Sequence, residues 1–113
     1  MRKIMNNKIY DTKTSTPVAE VWNGKTSDDL AYFRESLRIT RKGNYFLHIE
    51  GGPYSSMGVD LGNGSTGGSA DMRALKGVEV DAWLHKQHQA NKISVEDYIK
   101  AKKRRTNYVF EEA

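Results

Sequence analysis

From Glu35 to Glu50 the chain alternates: Leu37 and Ile39 sit between charged or polar neighbours, and Tyr45, Leu47 and Ile49 repeat the pattern beyond Arg41-Lys42-Gly43-Asn44. A period of two places successive side chains on opposite faces of a strand, so this stretch reads as a β-hairpin. Leu37, Ile39, Tyr45, Leu47 and Ile49 form its core face, and Arg38, Phe46, His48 and Glu50 point the other way.

The residues before the hairpin extend the β signal. Ile9 and Tyr10, then Val18, Val21 and Trp22, are β-branched or aromatic and are split by the polar run Asp11-Thr12-Lys13-Thr14-Ser15-Thr16-Pro17, which suits a hairpin connection. Asn23-Gly24 supplies the turn that ends the second strand. Ser27-Asp28-Asp29-Leu30-Ala31-Tyr32-Phe33-Arg34 reads either as a short capped helix or as the entry to the third strand. Beyond the hairpin, 7 of the chain's 10 glycines fall in the 18 residues from Gly51 to Gly68, a long connection that separates a β part from an α part.

Periodicity then changes. Val80, Trp83, Leu84 and Gln87 recur at i, i+3, i+4 and i+7, which predicts a helix from about Val78 to Ala90 that lays Trp83 and Leu84 on the sheet. Ser94 with Asp97 three residues on resembles a capping box and announces a second helix with the apolar stripe Val95, Tyr98 and Ile99. The expected fold is therefore α+β. A small antiparallel sheet of three to four strands in two hairpins comes first, then the glycine-rich loop, then one or two C-terminal helices packed on the sheet. At 113 residues this makes a single domain, with a β part over about 1–50, a connection over 51–68 and an α part over about 71–113.

Composition limits what such a domain does. There is no cysteine, which excludes a disulfide scaffold and a thiolate zinc site and favours an intracellular setting. No stretch reaches the roughly 20 apolar residues of a membrane span, and Met1-Arg2-Lys3-Ile4-Met5-Asn6-Asn7 turns polar too early for a secretory leader, so a soluble cytoplasmic protein is expected.

The candidate catalytic signals are weak. Gly62-Asn63-Gly64-Ser65-Thr66-Gly67 fits the dinucleotide pattern G-x-G-x-x-G, but it follows an antiparallel hairpin rather than the first strand of a βαβ unit. His85 and His88 stand at i, i+3 with Glu79 or Asp81 near in sequence, and no spacing supplies the remaining ligands of a metal. His48 has no serine or carboxylate placed beside it by spacing alone. The reading is a protein without enzymatic activity, cofactor or metal. Trp22 and Trp83 read as core anchors, Tyr45 as core and Phe46 as either core or a stacking residue. Tyr108-Val109-Phe110 either folds back on the core or offers a docking strand.

Charge carries the functional signal. The chain has 18 Lys+Arg against 14 Asp+Glu, a net of +4. Lys100, Lys102, Lys103, Arg104 and Arg105 place five cations in six positions at the end of the second helix. Cations there are favoured by the helix dipole, but the run is longer than one turn requires. With Arg38, Arg41 and Lys42 from the hairpin, these residues form a candidate patch for phosphates or for an acidic partner.

One set of motifs adds a family. Lys8-Ile9-Tyr10-Asp11-Thr12-x-Thr14, Trp22-Asn23-Gly24 and Glu35-Ser36-Leu37-x-x-Thr40-x-x-Gly43-x-Tyr45-Phe46-Leu47-x-x-x-Gly51-Gly52-Pro53, followed by Gly67-Gly68 and Trp83-Leu84, resemble a family of small proteins carried by bacterial mobile elements. That family includes anti-CRISPR inhibitors of type II RNA-guided nucleases. The resemblance implies a non-enzymatic inhibitor, working in the cytoplasm of a bacterial host, that binds such a nuclease or its guide RNA or target DNA. It brings no catalytic residue. A pI of about 9.3 argues against mimicry of nucleic acid, so the inhibitor would grip an acidic protein surface or the nucleic acid itself. The alternative is a basic nucleic-acid-binding accessory protein of a phage or plasmid. Edge strands in so small a sheet are compatible with a homodimer.

Overall fold

The computed structural model describes residues 1–106 and 109–113. Strands β1 (Arg2–Met5), β2 (Lys8–Asp11), β3 (Thr16–Trp22), β4 (Phe33–Ile39), β5 (Tyr45–Gly51), β6 (Val59–Gly62), β7 (Ser65–Gly67) and β8 (Ser69–Leu75) precede helices α1 (Gly77–Gln89) and α2 (Val95–Thr106). The fold is α+β, with antiparallel sheets first and two helices after them. The main sheet has the order β3-β4-β5-β8, and β1-β2 and β6-β7 are separate two-stranded ribbons.

The alternating segment forms β4 and β5, paired from Phe33 with Gly51 to Ile39 with Tyr45. Leu37 and Leu47 are buried beneath the helices with Val21, Leu75, Val80, Trp83, Leu84, Ile93 and Ala101, and Tyr45 and Ile49 pack against this core. Trp83 is anchored twice, by burial and by an indole N–H that donates to Glu35 Oε2 at 2.8 Å. The face expected to turn outward is not all exposed. Phe46 is fully buried there in a second cluster with Tyr10 and Met72.

That second cluster corrects the first pairing expected from the sequence. The polar run after Tyr10 does not join two partners: β2 pairs with β1, and β3 pairs with β4. Asn6 and Asn7 both have positive φ, 53° and 61°, the signature of the two-residue type I′ turn that favours hairpins. The ribbon lays Tyr10 edge-on against Phe46, with ring centroids 5.4 Å apart.

The glycine-rich segment is also more ordered in structure than its composition implied. Asn63-Gly64 turns β6 into β7, and Gly52 and Gly68 lie so close to backbone carbonyls that a Cβ would come within 2.6 Å of Leu30 O and 2.4 Å of Gly51 O. Ser69–Leu75, which the sequence placed largely in the α part, is instead the fourth strand of the sheet. Residues 27–32 make turns, with Asp29 N donating to Thr26 O and Tyr32 N to Asp29 O, and lead into β4 without a helix. Trp22 is exposed rather than a core anchor, its indole donating to Lys25 O at 2.6 Å.

The helices fall where the periodicity put them. Past Ala90, Asn91 takes a left-handed φ of 59°, with Asn91 N donating to His88 O and Lys92 N to Gln87 O, the paired bonds of a Schellman stop. Ser94 Oγ accepts from Asp97 N at 3.1 Å and opens α2. Its inward stripe differs from the expected one. Val95 and Ile99 are exposed, whereas Ala101 is buried and Tyr98, Lys102 and Arg105 are half-buried. No helix among the described residues is long and apolar enough to cross a membrane.

Candidate nucleic-acid interface

Helical geometry sorts the basic run. Tyr98, Ala101, Lys102 and Arg105 follow i, i+3, i+4, i+7 and face the protein; Lys100, Lys103 and Arg104 lie off that stripe and are exposed. Long basic side chains are suited to such positions because their stems cover apolar surface while the head reaches a polar partner. Here the partner is Asp81 on α1, whose Oδ1 accepts Lys102 Nζ at 3.1 Å and lies 3.9 Å from Arg105 Nε. Two of the five cations therefore tie α2 to α1.

Arg38 is committed to the interior architecture. Its Nε donates to Ser15 Oγ at 2.7 Å, Nη2 to Thr12 O at 2.9 Å and Ser15 O at 3.2 Å, and Nη1 to Ser36 Oγ at 3.4 Å. The guanidinium fork holds the β2–β3 connection against the sheet, and those donors are no longer offered to a partner. Lys100 lies elsewhere, in a recess of about 330 Å³ beside β3 together with Lys92.

Arg41, Lys42 and Arg105 do come together, with two cations the sequence did not single out. The β4–β5 turn, the β1–β2 ribbon and the start of α1 meet at one end of the molecule, where two clefts adjoin. One, of about 480 Å³, is lined by Lys8, Lys76 and Arg105; the other, of about 520 Å³, by Lys8, Arg41 and Lys42. Tyr10 and Asn44 are shared by both walls. Lys8 Nζ donates to Asn44 Oδ1 at 3.0 Å, which bridges the ribbon to the hairpin turn. Sequence reasoning missed Lys8 because it paired β2 with the wrong strand, and missed Lys76 because a lone lysine before a helix carries no pattern. Convergent cations on concave walls raise the local potential, and anions are drawn to them.

The other candidate clusters sit differently. His88 has Nδ1 3.0 Å from Ile93 O and its ring stacked on Tyr98 at 4.7 Å, while His85 is exposed. Among the described residues no group of three or more His, Asp or Glu is placed to hold a metal ion. The G-x-G-x-x-G segment forms the β6–β7 ribbon, with Gly67 packed on Leu61, and no helix follows it directly. Ser36 lies directly across from His48 in the β4–β5 ladder and donates to Glu20 Oε1 at 3.2 Å. Burial lowers the His48 pKa below its ordinary 6.5, with Glu50 pulling it back up, and the imidazole makes no hydrogen bond among the described residues. Phe110 packs on Tyr98 at 5.7 Å, so part of the C-terminal apolar trio folds back on α2; Tyr108 lies outside the described residues.

Comparison of the chain with protein-family models, curated proteins and solved structures gives no match in any of the three.

Proposed function

We propose that this protein acts by binding rather than by turnover, as an anti-CRISPR-like inhibitor that engages a type II RNA-guided nuclease through its guide RNA or target DNA. The observation that supports this reading is the gathering of Lys8, Arg41, Lys42, Lys76 and Arg105 around two adjoining clefts at one end. Phosphate contacts by such cations release counterions and dominate sequence-independent affinity. A basic end of this kind competes with the positively charged channel of the nuclease for the same strand. The motif resemblance supplies the nuclease; the clefts favour nucleic acid because cations from separate elements line their walls, and phosphate groups are the anions that such cations neutralise along a strand.

The test is target-DNA cleavage by a panel of purified type II RNA-guided nucleases, titrated with this protein before and after guide loading. Dose-dependent inhibition is expected, and it should weaken when Lys8, Arg41, Lys42 and Lys76 are replaced together by Gln. The same replacement should reduce the salt slope of nucleic-acid binding by about 3 on a log–log plot, at roughly 0.7–0.9 per phosphate contact. Uninhibited cleavage across the panel with intact, salt-dependent binding would leave the mobile-element accessory protein as the reading.

A further inference from the structure

Arg105, which lines the cleft at the start of α1, carries a donor that the fold leaves unanswered. Arg105 Nε is shut away from water and has no hydrogen-bond acceptor among the described residues. Asp81 Oδ1 stands 3.9 Å away, beyond hydrogen-bond distance, and already accepts Lys102. Buried donors are almost always paired, and the side chain that carries this one also lines the cleft, so the fold leaves the guanidinium incompletely answered on that side. Gly77 leaves the room that the guanidinium occupies: a Cβ there would fall 2.0 Å from Nη2 and 2.8 Å from Cζ, so a larger residue would shift it.

The charge of the cleft states what kind of acceptor fits. Lys8, Lys76 and Arg105 line it against one carboxylate, Glu79, so three positive charges less one negative leave a surplus of two. Lys8 has one N–H committed to Asn44, and the Lys76 ammonium has no partner among the described residues. Glu79 is turned to the chain itself, its Oε1 accepting Lys76 N at 2.8 Å. A phosphodiester inside a strand carries one negative charge. A phosphomonoester carries about 1.5 to 2 near neutral pH and presents three terminal oxygens. The surplus and the open donors match the monoester. The cleft's volume of about 480 Å³ falls in the usual small-ligand range of roughly 300–1,000 Å³, room for a single nucleotide.

We infer that this cleft takes the terminal phosphomonoester of a nucleic-acid strand, with Arg105 and Lys76 on the phosphate and Lys8 at its rim. The inference rests on the reading of the basic end as a nucleic-acid contact and adds the part of the strand that it holds. Arg41 and Lys42 in the adjoining cleft then meet the phosphates that follow.

Fluorescence anisotropy tests it with short single strands of one sequence, bearing a phosphate or a hydroxyl at the 5′ end and, in a second pair, at the 3′ end. At fixed salt one phosphorylated strand should bind about tenfold tighter than its hydroxyl twin, the scale of charge-assisted hydrogen bonds lost on removing the group. Arg105→Gln, Lys76→Gln and Gly77→Ala should each erase that preference, while Lys42→Gln in the adjoining cleft should weaken both strands alike. Lys76 is exposed, so its substitution keeps the test sound even where Arg105→Gln loosens α2. Equal binding of phosphate and hydroxyl ends by the unaltered protein would overturn the inference and leave the functional reading standing. Adenosine monophosphate displacing a labelled strand as effectively as the unlabelled phosphorylated strand would overturn the strand and assign the cleft to a free mononucleotide. Failure to bind any strand would remove the functional reading itself.

Discussion

The two faces of the β3-β4-β5-β8 sheet are covered in different ways. On one, both helices press Val80, Trp83, Leu84 and Ala101 onto Val21, Leu37, Leu47 and Leu75 in one continuous core. On the other, the β1-β2 ribbon covers part of the face through Tyr10, Phe46 and Met72. Polar pairs occupy more of it: Arg34 with Glu20 and Tyr32 with Glu50, both at 2.6 Å. An isolated two-stranded ribbon is marginal in water, so β1-β2 depends on that small cluster. Lys8 rides on this ribbon, and the basic end is therefore assembled partly from the less firmly held side of the molecule.

Large truncations test that asymmetry first. Phe46→Ala should cost about 3–5 kcal/mol and Leu84→Ala about 2–5 kcal/mol in chemical unfolding, since each empties a fully buried site. Their patterns should differ under hydrogen exchange. Loss of Phe46 should free the amides of residues 2–11 ahead of the rest, whereas loss of Leu84 should lower protection throughout the sheet and helices. Uniform loss in both variants would mean that the faces form one cooperative unit.

A double-mutant cycle between Tyr10 and Phe46 sharpens the same point. Their edge-on contact should give a coupling of about 0.5–1.5 kcal/mol beyond the area each buries. Coupling indistinguishable from zero would show that the ribbon is held by something other than this contact.

Smaller still is a pH effect on the ribbon-bearing face. Burial favours neutral His48, so the unfolded chain takes up the proton first as pH falls. The associated stability is complete above 6.5 and is lost as pH drops below 6.5 toward the lowered folded value. Urea midpoints measured from pH 7.5 to 5 should therefore decline more steeply for the parent protein than for His48→Gln; parallel declines would show that other groups carry the effect. The least costly change is Lys3→Ala, which removes an exposed 2.8 Å ion pair to Asp71 between β1 and β8. It should cost under about 1 kcal/mol and less at high salt. Because the Lys3 hydrogen bond is the main cause of the lowered Asp71 pKa, nuclear magnetic resonance titration should show that carboxyl rising in the variant.

Much of the architecture was legible because it is written at short range. A period of two over residues 35–50 and a period near 3.6 over 80–87 each bury one face only in the intended element, and Ser94 opens α2 through a bond to Asp97. The ribbon was harder to read: Asn6-Asn7 is a hairpin turn only because both residues take positive φ, and Asn-Asn is a weaker signal than Asn-Gly. Trp22 misled because an aromatic in a strand does not say whether that end of the sheet is covered. In the candidate site, Arg41 and Lys42 were visible as charges at a turn, but Lys8 and Lys76 were not.

The sequence alone therefore determined the element types, the pairing of β4 with β5 and the inward faces of β4, β5 and α1, all consequences of side-chain periods a few residues long. Only the tertiary structure decided which strand β2 joins, that Ser69–Leu75 closes the sheet, and which cations remain available. Those outcomes depend on distant partners: Arg38 is held by Thr12 and Ser15, Lys102 by Asp81, and Arg105 by the space that Gly77 leaves open. Charge is a property of a residue, but its availability is set by whatever the fold brings within reach of it.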